Sequence, residues 1–248
     1  MASVATIAFL IILMPLSRAA RAETIDVAVV LAADVSRSID DDEFQLQRKG
    51  YAAAITSPKV LKAIHAGNNG AIALCFVEWA GPREEMVVVK WAVIRDDNSA
   101  TAFAEALLKA PRSFVGRTAI GDGIDFAATL FEESGMVAER RVIDVSGDGT
   151  NNAGQPVTVA RDDTVRKGIT INGLAIINEK TSGPLGTFSY YHTHPPGGLP
   201  KYYSDNVIGG TGAFAVQVVN FDTFGDAIQS KLISEISAAP PKASFAAR

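Results

Sequence analysis

Residues 25 to 33, "IDVAVVLAA", contain one polar side chain, Asp26. A strand with one wet face alternates apolar and polar residues. A run without that alternation describes a strand covered on both faces, as in the parallel sheet of an α/β protein. Such a strand commits the chain to helices on either side of a sheet and to the crossovers that carry them.

The remaining sequence meets that commitment. Asp40 to Ile64 has helical spacing, with Phe44, Leu46, Tyr51 and Ile55 as candidate buried positions and a break at Pro58. "AIALCFVEWA" (71–80) and "EMVVVKWAVI" (85–94) read as antiparallel strands joined by a tight "GPRE" turn. Helices are expected over 100–110 and over 120–133, the latter amphipathic through Ile124, Phe126, Ala127, Leu130 and Phe131. A strand at 140–149 ends in a polar turn, and a helix at 157–167, strands at 169–177 and 212–219 and a closing helix at 221–236 complete the pattern. The expected fold class is α/β: a three-layer, Rossmann-like arrangement with a mostly parallel central sheet, one antiparallel edge strand and helices on both faces. Ligands of such sheets sit beyond the carboxyl ends of the strands, so the polar loops leaving those ends carry the functional signal.

Val4 to Leu16 is a near-continuous apolar stretch followed by "ARA" at 20–22, the pattern of a signal peptide over residues 1–22. It is shorter than the roughly 20 residues that span a bilayer. The expected organisation is a leader, a domain over 23–238 with a loop insertion at 179–206, and a disordered tail at 239–248, in a periplasmic or secreted protein. The net charge of the whole chain is −4, and the leader holds two arginines and no acid, which leaves −6 beyond it. Nucleic acid and, after cleavage, anionic membrane are poor partners for such a surface. The single cysteine, Cys75, lies in an apolar strand, which suits a small buried hydrophobe better than a nucleophile and permits no intrachain disulfide.

Three strand-end or pre-helix stretches hold the oxygen donors: "DVSRS" (34–38), "GRTAIGDGI" (116–124) and "SGDG" (146–149). They supply the carboxylates of Asp34 and Asp148 and the hydroxyls of Ser36, Ser38 and Thr118, with no imidazole or thiolate. An all-oxygen set suits a hard cation, Mg²⁺ foremost, with Ca²⁺ or Mn²⁺ as alternatives, rather than zinc. Each stretch also has a plainer explanation. Ser38 and Thr118 could cap the helices that follow them, and "GDG" could be only a turn.

The arrangement resembles the von Willebrand factor type A domain, whose metal-ion-dependent adhesion site is written D-x-S-x-S, then Thr in a G-x-T loop, then Asp after a later strand. Asp34-Val35-Ser36-Arg37-Ser38 is the first element and Gly116-Arg117-Thr118 the second, followed by Gly123, Ile124 and Ala127. The third departs from the family's usual Ser or Thr before Asp-Gly, since Gly147 precedes Asp148, and both Asp148 and Asp144 are available for the role. Asp148 lies in the turn and is the choice for the site, with Asp144 behind it as an acceptor. "DVSRSID", "YAAAIT", "VEWAG", "RRVIDVSGDG" and "VIGGTGAF" are similar to a bacterial family of exported proteins, domain of unknown function 1194. The resemblance implies a binding domain rather than an enzyme, in which Asp34, Ser36, Ser38, Thr118 and Asp148 present a divalent cation to an Asp or Glu of a protein partner. It implies nothing of oligomeric state.

Two other readings compete. His192, His194 and Asp205 form H-x-H-x(10)-D, which resembles the zinc signature of JAB1/MPN isopeptidases, although Tyr202 stands where that family has serine. The Tyr/Pro-rich stretch 188–203 would alternatively serve as a metal-independent contact surface. A serine nucleophile at Ser36 would need an imidazole base, and no histidine is expected near it.

Overall fold

The computed structural model describes residues 23–177, 191–219 and 221–238. The expected leader (1–22), the tail (239–248) and the first part of the expected insertion lie outside the described residues.

Six strands form one sheet in the order β3-β2-β1-β4-β5-β6. They are β1 (Thr24–Asp34), β2 (Ile72–Trp79), β3 (Glu85–Ile94), β4 (Val137–Gly147), β5 (Thr170–Ile176) and β6 (Ala215–Val218). Every pairing is parallel except β2 with the edge strand β3. The sheet is therefore the one the unbroken apolar run demands. β1 sits in the middle and divides its side chains between two cores. Val27, Val29, Leu31 and Ala33 pack with α1 (Asp41–Ile55), α2 (Pro58–His65), α3 (Asp97–Lys109) and the closing helix α7 (Phe224–Ser237). Ala28, Val30 and Ala32 face α4 (Ile120–Glu133), α5 (Val157–Arg166) and the one-turn helix α6 (Leu199–Tyr202), which runs on into a π-helical turn at Tyr203–Val207. The lone polar residue of the run, Asp26, is buried and accepts hydrogen bonds from Asn69 N (2.8 Å) and Asn69 Nδ2 (3.1 Å), tying down the turn that enters β2.

Helix boundaries follow local chemistry. Asp40 caps α1 in a reciprocal box with Glu43 (2.8 and 3.0 Å), and Pro58 opens α2 behind the Ser57 cap. The chain passes from β1 to β2 on one side and later returns to β4 on the other, so the order reverses between β1 and β4. Their carboxyl ends, Asp34 and Gly147, frame the crevice where doubly wound sheets hold ligands.

Candidate metal centre

Three loops meet at that crevice and are braced against one another. Arg37 N donates to Gly116 O (2.9 Å), and Asn152 N and Ala153 N donate to Thr118 O (2.9 and 3.2 Å). Asn152 Oδ1 accepts from Thr118 N (3.0 Å), which fixes the threonine loop against the segment after β4. Arg112 holds the "DVSRS" loop from beneath: its Nη2 lies 2.8, 3.0 and 2.8 Å from the carbonyl oxygens of Val35, Ser36 and Ile39.

The five expected site residues are brought together. Thr118 Oγ1 donates to Ser36 Oγ (3.2 Å), Ser36 Oγ and Ser38 Oγ are 3.1 Å apart, and Ser38 Oγ donates to Asp148 Oδ1 (2.5 Å). Asp34 Oδ1 accepts from Ser36 N (2.7 Å), whereas Asp34 Oδ2 is buried and accepts no hydrogen bond among the described residues. The helix-cap explanations of Ser38 and Thr118 fail: α1 is capped by Asp40 rather than Ser38, and α4 begins after Ala119 without a side-chain cap from Thr118.

Asp34, Ser36, Thr118 and Asp148 are all buried. Burial, and then the charge of Asp148, push the Asp34 carboxyl up to about 8, against the hydrogen bonds from Ser36. Two carboxylates at one buried point repel unless a proton or a cation lies between them. An octahedral ion with bonds of about 2.1 Å sets neighbouring donors about 3 Å apart. The Ser36–Ser38 and Ser36–Thr118 separations fit that edge, so the donor set matches a small divalent cation.

Gly147, the departure from the family wording, has a steric cause. A Cβ there would stand 2.7 Å from Tyr203 Oη and 2.9 Å from Asp34 Oδ2. Tyr203 is wholly buried beside the two carboxylates, and burial followed by their charge holds its hydroxyl well above the usual range. Asp144 is not an acceptor behind the site. It points toward α7, where Lys231 Nζ lies 2.6 Å from its Oδ1.

The largest correction concerns His192. The sequence places no histidine near the hydroxyls, yet His192 Nε2 lies 3.0 Å from Thr118 Oγ1. Its Nδ1 lies 3.0 Å from Thr150 Oγ1 and 3.3 Å from Asn152 Nδ2, and its carbonyl accepts from Thr150 N (3.0 Å). Burial and the nearby Arg117 bring the imidazole down to about 4. The isopeptidase set does not assemble, because Asp205 pairs with Lys201 (2.7 Å). Among the described residues no three His, Cys, Asp or Glu side chains are grouped to hold a metal, at the crevice or elsewhere, so an ion at the crevice would depend on the hydroxyls. In the described part of the Tyr/Pro stretch, Tyr203 and Leu199 are in the core, Tyr202 is half-buried with its hydroxyl accepting from Asn151 N (3.1 Å), and Tyr191 and Pro196 are exposed. Residues 188–190 lie outside the described residues.

The model of the family described as "Protein of unknown function (DUF1194)" matches residues 24–240, and the chain belongs to that family. No curated protein matches it significantly. Among solved structures it is similar to proximal thread matrix protein 1 from the mussel byssus (17% identity, TM-score 0.55, covering 87% of this chain and 46% of that one). A further structure of that mussel protein is described as having a zinc-occupied MIDAS motif (14% identity, TM-score 0.57, 87% and 49% covered). It is also similar to a von Willebrand factor type A protein from Catenulispora acidiphila (14% identity, TM-score 0.55, 86% and 43%) and to BatB from Bacteroides thetaiotaomicron (22% identity, TM-score 0.52, 86% and 100%). The chain spans about half the length of the mussel protein. At these identities the likeness establishes the fold, which is that of the von Willebrand factor A domain.

Proposed function

We propose that this protein is an exported binding domain that presents a divalent cation, held by Asp34, Ser36, Ser38, Thr118 and Asp148, to an acidic group of a protein partner. The observation that carries the reading is the hydroxyl arc from Thr118 through Ser36 to Ser38, ending on Asp148 and backed by a buried Asp34 oxygen that accepts no hydrogen bond among the described residues. The cation would supply a local positive charge and coordination positions that the chain leaves open. With the hydroxyls as nearest donors and the carboxylates partly behind them, the ion keeps enough charge to attract an Asp or Glu from outside. The chain's own residues position that ion and do no bond-breaking chemistry, so the protein is proposed to be a non-enzymatic module. Export rests on the leader-like residues 1–22, and the acidic surface argues against nucleic acid as the partner.

Calorimetric titration of Mg²⁺, Ca²⁺ and Mn²⁺ into the chelator-treated protein tests this. Binding by the wild type and its loss in Asp34→Ala are expected, and a wild type that takes up no divalent cation refutes the reading.

A further inference from the structure

The β5–β6 connection returns to the crevice and sets one side chain against the hydroxyl arc. His192 is half-buried, and its Nε2 stands 3.0 Å from Thr118 Oγ1. That separation matches the edges already present in the arc, 3.2 Å from Thr118 to Ser36 and 3.1 Å from Ser36 to Ser38. Four donors on one chain of edges near 3 Å are what adjacent positions of an octahedral shell require.

The seat of this ring is built rather than accidental. A Cβ on Gly149 would stand 2.2 Å from His192 Nε2, so the turn after β4 leaves room for the imidazole only because that residue is glycine. The ring is also held from its other side. Thr150 Oγ1 lies 3.0 Å from Nδ1 and Thr150 N donates to the His192 carbonyl (3.0 Å). Metal-bound histidines are commonly oriented through the second ring nitrogen in this way, since an Nδ1–H donated to an oxygen leaves the Nε2 lone pair for the ion. Without an ion, the opposite tautomer can donate from Nε2 to Thr118, with Asn152 Nδ2 (3.3 Å) facing Nδ1. The two tautomers make the ion-bound and ion-free states distinguishable.

We infer that His192 is a ligand of the proposed metal site, supplied by the chain itself, and that it turns an all-oxygen site into a mixed nitrogen and oxygen site selective for a first-row transition ion such as Zn²⁺ over Mg²⁺ and Ca²⁺. The inference rests on the metal-binding reading above and specifies which ion the site takes. Imidazole binds zinc-like ions far better than alkaline-earth ions, whereas hydroxyl and carboxylate oxygens suit the hard ions. With Ser36, Ser38, Thr118 and His192 in the shell, an octahedral ion retains two positions for water or for an outside carboxylate.

The test is titration of Zn²⁺ and Mg²⁺ separately into chelator-treated wild type, His192→Ala, His194→Ala and Asp34→Ala, with Co²⁺ absorption and imidazole ¹⁵N shifts as direct readouts. Wild type is expected to bind Zn²⁺ at least about tenfold more tightly than Mg²⁺, with Nδ1 protonated and Nε2 shifted by the ion. His192→Ala is expected to lose at least about tenfold in Zn²⁺ affinity and to change the Co²⁺ spectrum. Its Mg²⁺ affinity should fall by a smaller factor than its Zn²⁺ affinity, the residual Mg²⁺ binding showing that the variant folds, and His194→Ala should behave as wild type. Zn²⁺ affinity that survives in His192→Ala but is lost in Asp34→Ala overturns this inference and leaves the metal site standing. Loss of Zn²⁺ affinity in His194→Ala alone overturns it as well. A wild type that binds neither ion removes both.

Discussion

Asp144→Asn probes how the fold tolerates charge beneath the site. Asp144 is wholly buried, with Lys231 Nζ 2.6 Å from its Oδ1 and 2.5 Å from Glu235 Oε1. Asn172 Nδ2 also donates to Glu235 Oε1 (2.8 Å), and the nearby Arg140 is engaged by the carbonyls of Glu235 and Ile236. Two carboxylates thus share one ammonium. Burial, then the charge of Glu235, push the Asp144 carboxyl up to about 7 despite Lys231, while the two carboxylates hold the Lys231 ammonium above its ordinary value. The unfolded chain releases the Asp144 proton near the ordinary carboxylate value, and the folded chain keeps it until about 7. Stability from this group is therefore present at acid pH and falls as pH rises through that window. At about 1.4 kcal/mol per pH unit, the loss between pH 4.5 and 7.5 is about 3 kcal/mol. The Asn variant keeps the shape and removes the titration. Urea unfolding with chelator at both pH values is expected to show a fall in wild type that exceeds the fall in Asp144→Asn by about that amount. Parallel pH profiles would refute the argument, as would a variant that loses more than about 3 kcal/mol at pH 7.5, because Lys231 would then depend on an ionised Asp144.

Gly147→Ser restores the residue usual in the wider family, but places a Cβ against Tyr203 Oη and Asp34 Oδ2. It is expected to lower stability by about 1–3 kcal/mol in urea unfolding and to weaken cation binding, and Tyr203→Phe in the same chain should recover part of the stability. Arg112→Ala removes the group around which three carbonyls of the "DVSRS" loop gather. Cation affinity by calorimetry is expected to fall by about tenfold, with Ser36 and Ser38 no longer held in one geometry.

Most of the fold and the oxygen set were legible because both are encoded locally. The unbroken run of β1 fixes a covered sheet, and the hydroxyls of "DVSRS" lie within four residues of the strand end that aims them. His192 was not legible, since it reaches Thr118 across 74 residues through a connection with no periodicity, and only Gly149 records its arrival. Asp144 was misplaced for a different reason. Along β4, Val142 packs in the α1/α7 core while Ile143 and Val145 pack in the other, so Asp144 and Ser146 look toward α7 and α1. There they meet Lys231 and the Tyr51 hydroxyl, which donates to Ser146 Oγ (2.9 Å). Lys231 and Glu235, four apart on one helix, were the available signal for that second cluster. The contrast between buried acids then bears on the site itself. Glu78 is matched by Arg48 (2.5 Å) and Asp144 by Lys231, each far inside the fold. Among the described residues no Lys or Arg forms an ion pair with Asp34, which is met instead by the Ser36 N–H and repelled by Asp148. The fold pairs Glu78 and Asp144 with its own cations, whereas Asp34, beside Asp148 at the carboxyl end of the sheet, has only the more distant charge of Arg112, which is where the proposed ion would add its own.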